Sequence, residues 1–250
     1  MSLLSGDRVE VLFGPTRVSL ARGRSGDRVF VECAAGEEMS WRTALEALGK
    51  ALAQLNWRNG DVAVTLSNHL VRYALLPRAG ELTRADERVA AARHQLRSVY
   101  GDRADRWTVV LDDRTGDGPA LAAGVDTELM TGITAALHGA QLRPVAVEPL
   151  FAAAFNACRR SIGRVGWLAV GEPGRVCLAQ LERGRWSSVR SERIRESIEI
   201  ELPRLLERAR FAAGGESKAG RVIYVASEAP RAQIAREDGW AVEWFRFPQA

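Results

Sequence analysis

The sequence predicts an α/β protein made of two duplicated β-β-β-α-β lobes, the first carrying an inserted middle subdomain. Residues 7–66 read as three short strands, an amphipathic helix and a fourth strand, and residues 164–225 repeat that order. The segment between them, about 67–150, follows a different pattern and interrupts the repeated unit. At 250 residues the chain is long enough for two lobes around a substantial core. The expected division is therefore 1–160 for the first lobe with its insert and 161–250 for a second, truncated lobe. The boundary is expected within Arg159–Gly163.

In the first unit, Arg8–Phe13 and Thr16–Ala21 alternate apolar and polar residues across a Gly14-Pro15 break, which is the signature of a hairpin. Val29–Cys33 supplies a third strand after the Arg24-Ser25-Gly26-Asp27 turn. Ser40 can cap a helix whose Leu45, Leu48, Leu52 and Leu55 recur at helical spacing. Asn59-Gly60-Asp61 closes that segment, and Val62–Leu66 is a short apolar run of the buried parallel type.

The middle segment opens with a strand, Val71–Leu76, closed by Pro77. Thr83 begins a helix with Ala85, Val89, Ala92, Leu96 and Val99 as its apolar stripe, and Arg84, Arg88, Arg93 and Arg97 on the other face. Strands at Trp107–Leu111 and Ala120–Val125 flank an acidic, Gly-rich turn containing Asp112 and Asp113. Asp126 is a candidate N-cap for a helix buried through Leu129, Ile133, Ala136 and Leu137, with Gly139 as its C-cap. A strand at Leu142–Val147 leads to Pro149, placed for the first turn of a helix Leu150–Cys158.

The second unit has strands at Val165–Val170, Arg175–Leu181 and Arg185–Val189, turned at Gly171–Gly174 and Gly184. A helix between Arg195 and Ala212 buries Ile198, Leu202, Leu205, Leu206 and Ala209. Pro203 is expected to kink it or to mark the start of its second part. Gly214-Gly215 ends it, Val222–Val225 is a buried strand, a short helix is expected from Pro230, and a last strand lies near Trp240–Phe245.

Composition narrows the function classes. MSLLSGDRVEVLF lacks a basic segment followed by an apolar run, so no secretory signal is expected. The most apolar stretch, Val145–Cys158, is broken by Glu148, Pro149 and Asn156 and is too short to span a bilayer. Cys33, Cys158 and Cys177 lie in apolar contexts without paired spacing, which predicts buried free thiols in a reducing compartment. The net charge of +4 comes from arginines interleaved with acids rather than gathered in blocks, as expected of a mixed-charge solvated surface. His69, His94 and His138 have no ligand spacing and are read as surface or helix-face positions. No G-x-S-x-G, P-loop or G-x-G-x-x-G pattern occurs.

Three stretches carry a family resemblance: VRYALLP, LAAGVDTELMTGITAALHGAQLRPVAVEP and GWLAVGEPGRVCLAQLERGRW. They resemble the actin-like proteins of type IV pilus and type II secretion assembly, the PilM family and the cytoplasmic portion of the GspL family. The resemblance is clear over roughly residues 60–190 and elsewhere rests on element order. It implies an actin-like, ribonuclease H-like fold and a scaffold at the cytoplasmic face of the inner membrane. The implied partners are the short cytoplasmic tail of a bitopic inner-membrane assembly protein and a motor ATPase, with membrane attachment through partners. PilM-like members also bind ATP, and GspL-like members carry a transmembrane helix that this sequence does not show.

The nucleotide equipment departs from that pattern. An actin-like phosphate turn is Asp-x-Gly followed by small hydroxyl residues; the carboxylate organises hydrated Mg²⁺ and backbone N–H groups cradle the phosphates. Here the first turn reads Leu12-Phe13-Gly14-Pro15-Thr16-Arg17 and the second Val170-Gly171-Glu172-Pro173-Gly174-Arg175. Glu172 stands at the wrong place in its turn to replace the aspartate. The expected Gly-Gly on the adenosine side reads Val225-Ala226-Ser227-Glu228-Ala229-Pro230. No catalytic, cofactor-binding or metal-binding residue is therefore assigned, and no cofactor is expected. The expected function is a non-enzymatic docking scaffold without nucleic-acid binding. Two alternatives stay open. One is an active ATPase or kinase-like enzyme with a catalytic carboxylate near Glu148, and the other is a nucleic-acid binder using the arginine face of residues 84–97.

Overall fold

A computed structural model describes residues 8–23, 28–33, 41–55, 57–77, 82, 84–112, 118–164, 166–212, 220–232, 234 and 239–247. Thirteen strands and five α-helices are seen among them. The first lobe starts with β1 (Val9–Phe13), β2 (Arg17–Arg22), β3 (Arg28–Glu32), α1 (Trp41–Leu55) and β4 (Asp61–Leu66). The middle of the chain follows with β5 (Val71–Leu76), α2 (Ala85–Tyr100), a 3-10 turn (Gly101–Arg106), β6 (Trp107–Leu111), β7 (Ala120–Asp126), α3 (Thr127–Gly139), β8 (Arg143–Pro149) and α4 (Leu150–Ile162). The second lobe holds β9 (Gly166–Glu172), β10 (Arg175–Glu182), β11 (Arg185–Arg193), α5 (Ile198–Ala212), β12 (Arg221–Ala226) and β13 (Ala241–Arg246).

The duplication is visible in the sheets. The first runs β3-β2-β1-β4-β8 and the second β11-β10-β9-β12-β13. In each, the three leading strands pair antiparallel and the remaining two add in parallel. Between the sheets lies α4, which touches β4 and β8 on one side and β9 and β12 on the other. This sandwiching explains the apolar run of β9. Leu168 and Val170 face the main core shared with the first lobe, while Trp167 and Ala169 face a second core under α5 with Leu202, Leu206 and Trp240. A strand covered on both faces has no reason to alternate.

The insert forms a third sheet, β5-β7-β6, closed on one side by α2. Its other side joins the main core through Tyr73, Leu121, Ala123 and Val125.

Several expectations are corrected. The strand expected inside the 67–150 segment, β8, is the fifth strand of the first sheet, paired with β4; only Val71–Asp126 builds the separate sheet. On α2, Ala92 and Leu96 are buried but Val89 and Val99 are exposed, because the three-stranded sheet beneath covers a narrow stripe. Gly139 is the last residue of α3 rather than its cap. Ala140 caps it, and Gln141 takes the left-handed conformation (φ 58°) that turns the chain into β8. Pro203 does not mark the start of a second part of α5, which begins at Ile198 and runs through it. The helix expected from Pro230 is not seen at residues 230–232; part of the expected stretch, like Ser40, Thr83, Asp113 and Gly214-Gly215, lies outside the described residues.

Candidate functional site

The two lobes leave a cleft of about 660 Å³ between them. Two of its walls are the hairpin turns of the duplicated unit: Gly14–Arg17 between β1 and β2, and Gly171–Gly174 between β9 and β10. The Gly14 N–H is already engaged by the Arg17 carbonyl at 3.0 Å. Pro15 and Pro173 contribute no N–H at all.

Glu172 crosses the cleft. Its Oε2 accepts the backbone N–H of Asn68, in the loop between β4 and β5, at 2.8 Å. Asn68 is fully buried, and its Oδ1 accepts from the Tyr73 hydroxyl at 2.7 Å and from the Phe151 N–H, at the start of α4, at 3.2 Å. The neighbouring His69 extends the clasp, its Nε2 lying 3.0 Å from the Pro173 carbonyl. One loop of the first lobe thus holds the second lobe's turn by side chain and backbone together. Burial raises the Glu172 pKa above the ordinary carboxyl value, against the opposing pull of Ser67, Asn68 and Arg175. Burial and Arg175 together lower that of His69, which favours its neutral form.

Sequence reasoning set Glu172 and His69 aside, the latter as a surface or helix-face residue; the structure brings both to the cleft wall. No local signal marks them, because the contact joins positions 104 residues apart. Glu148, the alternative carboxylate, lies on β8 outside the cleft lining.

The far wall is made by the start of α5 and the loop after β12. Glu199 accepts the Arg231 N–H at 2.6 Å and so joins the two. Tyr224 packs over Gly171: a Cβ there would lie 2.4 Å from the Tyr224 hydroxyl oxygen, so only glycine fits. Burial and Glu199 push the Tyr224 phenol up to about 12. Ala226–Arg231, where the sequence lacks Gly-Gly, does line the cleft.

Electrostatics separate this cleft from a triphosphate site. Among the described residues, Glu32, Glu172, Glu196, Glu199 and Glu228 line it against Arg17 and Arg231, with no lysine. Arg17 is itself paired with Glu32 at 2.6 Å. A free triphosphate would meet this excess of carboxylates, Pro15 and Pro173 offer it no N–H, and the Glu172 carboxylate is engaged by Asn68. These residues do not fit magnesium triphosphate.

Other candidates disperse. Among the described residues no three His, Cys, Asp or Glu side chains form a metal-binding group. Cys33, Cys158 and Cys177 are buried free thiols. On α2, Arg84 pairs with Asp86 and Arg97 with Asp102 and Asp105, so much of that basic face is neutralised locally. Trp57, Trp167, Trp186 and Trp240 are core residues, whereas Trp244 is exposed.

No protein-family model matches the chain, and no curated protein matches it by sequence. Solved structures do match its shape. A Bacteroides thetaiotaomicron protein with actin-like ATPase fold and unknown function superposes with a TM-score of 0.66 at 10% identity, covering 96% of this chain and 91% of that one. The PilM–PilN type IV pilus biogenesis complex gives a TM-score of 0.66 at 15% identity, with 97% and 89% covered. The cytoplasmic domain of EpsL, an inner-membrane component of the type II secretion system of Vibrio cholerae, gives 0.57 at 12% identity, with 96% and 90% covered. The fold is actin-like.

Proposed function

We propose that this actin-like chain is a non-enzymatic scaffold in an assembly of the type IV pilus or type II secretion kind. In this reading it docks the short cytoplasmic tail of a single-span inner-membrane protein and reaches the membrane through that partner. The observation that carries the proposal is the clasp: Glu172, a carboxylate of the cleft lining, ties the lobes together through Asn68. The near full-length likeness to PilM in complex with PilN and to the EpsL cytoplasmic domain supports the choice of assembly. No helix among the described residues is long and apolar enough to cross a membrane.

The test is reconstitution with cytoplasmic tail peptides of single-span membrane proteins encoded beside it, with and without Mg-ATP. The expected result is a stable complex whose affinity is the same in both conditions. A complex that forms only with nucleotide, or none with any neighbouring tail, would count against the scaffold reading.

A further inference from the structure

Three arginines gather behind the Gly171–Gly174 turn, on the seam between the inserted sheet and the second lobe. His69 organises two of them. Its carbonyl accepts Arg72 Nη1 at 2.9 Å, and its Nδ1 lies 3.4 Å from Arg175 Nε. Arg175 also donates through Nη1 to the Ser191 hydroxyl at 2.8 Å. Arg193 is the direct cross-strand partner of Arg175 in the β10–β11 ladder, so the two side chains leave the same face as neighbours.

Like charges directly opposed on a ladder are destabilising. None of these three arginines makes an ion pair among the described residues, whereas Arg17, Arg84, Arg97, Arg143, Arg210 and Arg221 each hold a carboxylate. Arg72 is half-buried and feels the crowding: burial, then Arg175 and Arg193, lower its pKa. Glu172 is near enough to feel Arg175, yet its carboxylate is engaged by Asn68. A bond from a neutral amide leaves the Glu172 charge in place, so it offsets part of the cluster, and three guanidinium groups against one carboxylate leave the seam net positive.

We propose that Arg72, Arg175 and Arg193 form a binding site for an oxyanion, either a carboxylate side chain or a phosphate group. The guanidinium fork suits both, since its paired N–H groups match two oxygens of one group. Arg193 is the exposed member and offers its fork outward, while Arg72 and Arg175 are fixed by their bonds to His69 and Ser191. None of the three arginines lines the interlobe cleft, so the site is separate from it.

The test is thermal unfolding at constant ionic strength, with chloride replaced stepwise by inorganic phosphate in one series and by glutarate in another. Ligand that binds the folded state raises the midpoint with concentration. The wild type is expected to show a saturable rise in at least one series: a glutarate response identifies a carboxylate ligand, and a response to phosphate alone a phosphate. Arg193→Gln is expected to weaken the apparent affinity at least tenfold. Arg190→Gln, an exposed neighbour on the opposite face of β11, is expected to leave it unchanged. No response beyond chloride in either series, or equal responses from the two variants, would overturn the proposal.

Discussion

Glu172, on the second lobe, accepts the backbone N–H of Asn68, on the first, at 2.8 Å across the base of the cleft. Removing the acceptor leaves a buried N–H unsatisfied, at a cost of about 1–3 kcal/mol. Glu172→Ala is therefore expected to lower the unfolding midpoint by about 2–4 °C per kcal/mol lost, read by calorimetry.

Glu172→Gln separates the hydrogen bond from the charge. The amide oxygen still accepts, and the desolvated carboxylate is gone. Because burial raises the folded-state pKa of Glu172, the folded protein holds that proton more tightly than the unfolded chain does. The group's favourable contribution is complete below the unfolded value, near 4.5, and is lost as pH rises through the folded one. Urea unfolding of wild type and Glu172→Gln should show the wild type losing ground as pH rises above about 4.5 and through the raised folded-state value. A pH-independent difference would contradict this account.

Asn68 is the deeper half of the clasp. Its Oδ1 serves both the Tyr73 hydroxyl and the Phe151 N–H. Asn68→Ala orphans two buried donors and is expected to cost about 2–4 kcal/mol, measured by denaturant titration. Asn68→Asp keeps the acceptor but sets a second carboxylate beside Glu172, so its deficit should grow with pH.

Gly171→Ala drives a methyl group into Tyr224, with 2.4 Å to the hydroxyl oxygen and 2.7 Å to the ring. Overpacking of this kind costs about 1–3 kcal/mol. Tyr224→Leu in the same chain should recover most of that loss, and a double-mutant cycle would read the coupling. Additive losses would show that the clash is relieved elsewhere.

The cysteines offer a test of the core. Burial pushes the Cys158 thiol up to about 11 and Cys177 up to about 12, and also raises Cys33. A thiol-specific disulfide reagent at pH 8 is expected to leave all three unmodified in the native protein and to titrate them only after unfolding.

The lobes were legible because each writes its own local pattern. The Gly14-Pro15 break, the stripe centred on Leu48 and Leu52 and the Asp126 cap all answer to nearest neighbours in sequence. What escaped was non-local. Leu142–Val147 looks like part of the middle segment until β8 is seen beside β4, a parallel pairing that joins Asp61 to Arg143. Val89 and Val99 match the α2 period but lie beyond the width of a three-stranded sheet. The site divides in the same way. The prolines that remove one N–H from each hairpin turn are plain in the sequence, whereas the role of Glu172 depends on a loop 104 residues away.

Calorimetric titration of Mg-ATP into Arg193→Gln tests the central claim most directly, since that variant weakens anion binding at the cationic seam and leaves the cleft lining unchanged. The account predicts no saturable heat up to millimolar nucleotide. Saturable micromolar binding that depends on magnesium would contradict it.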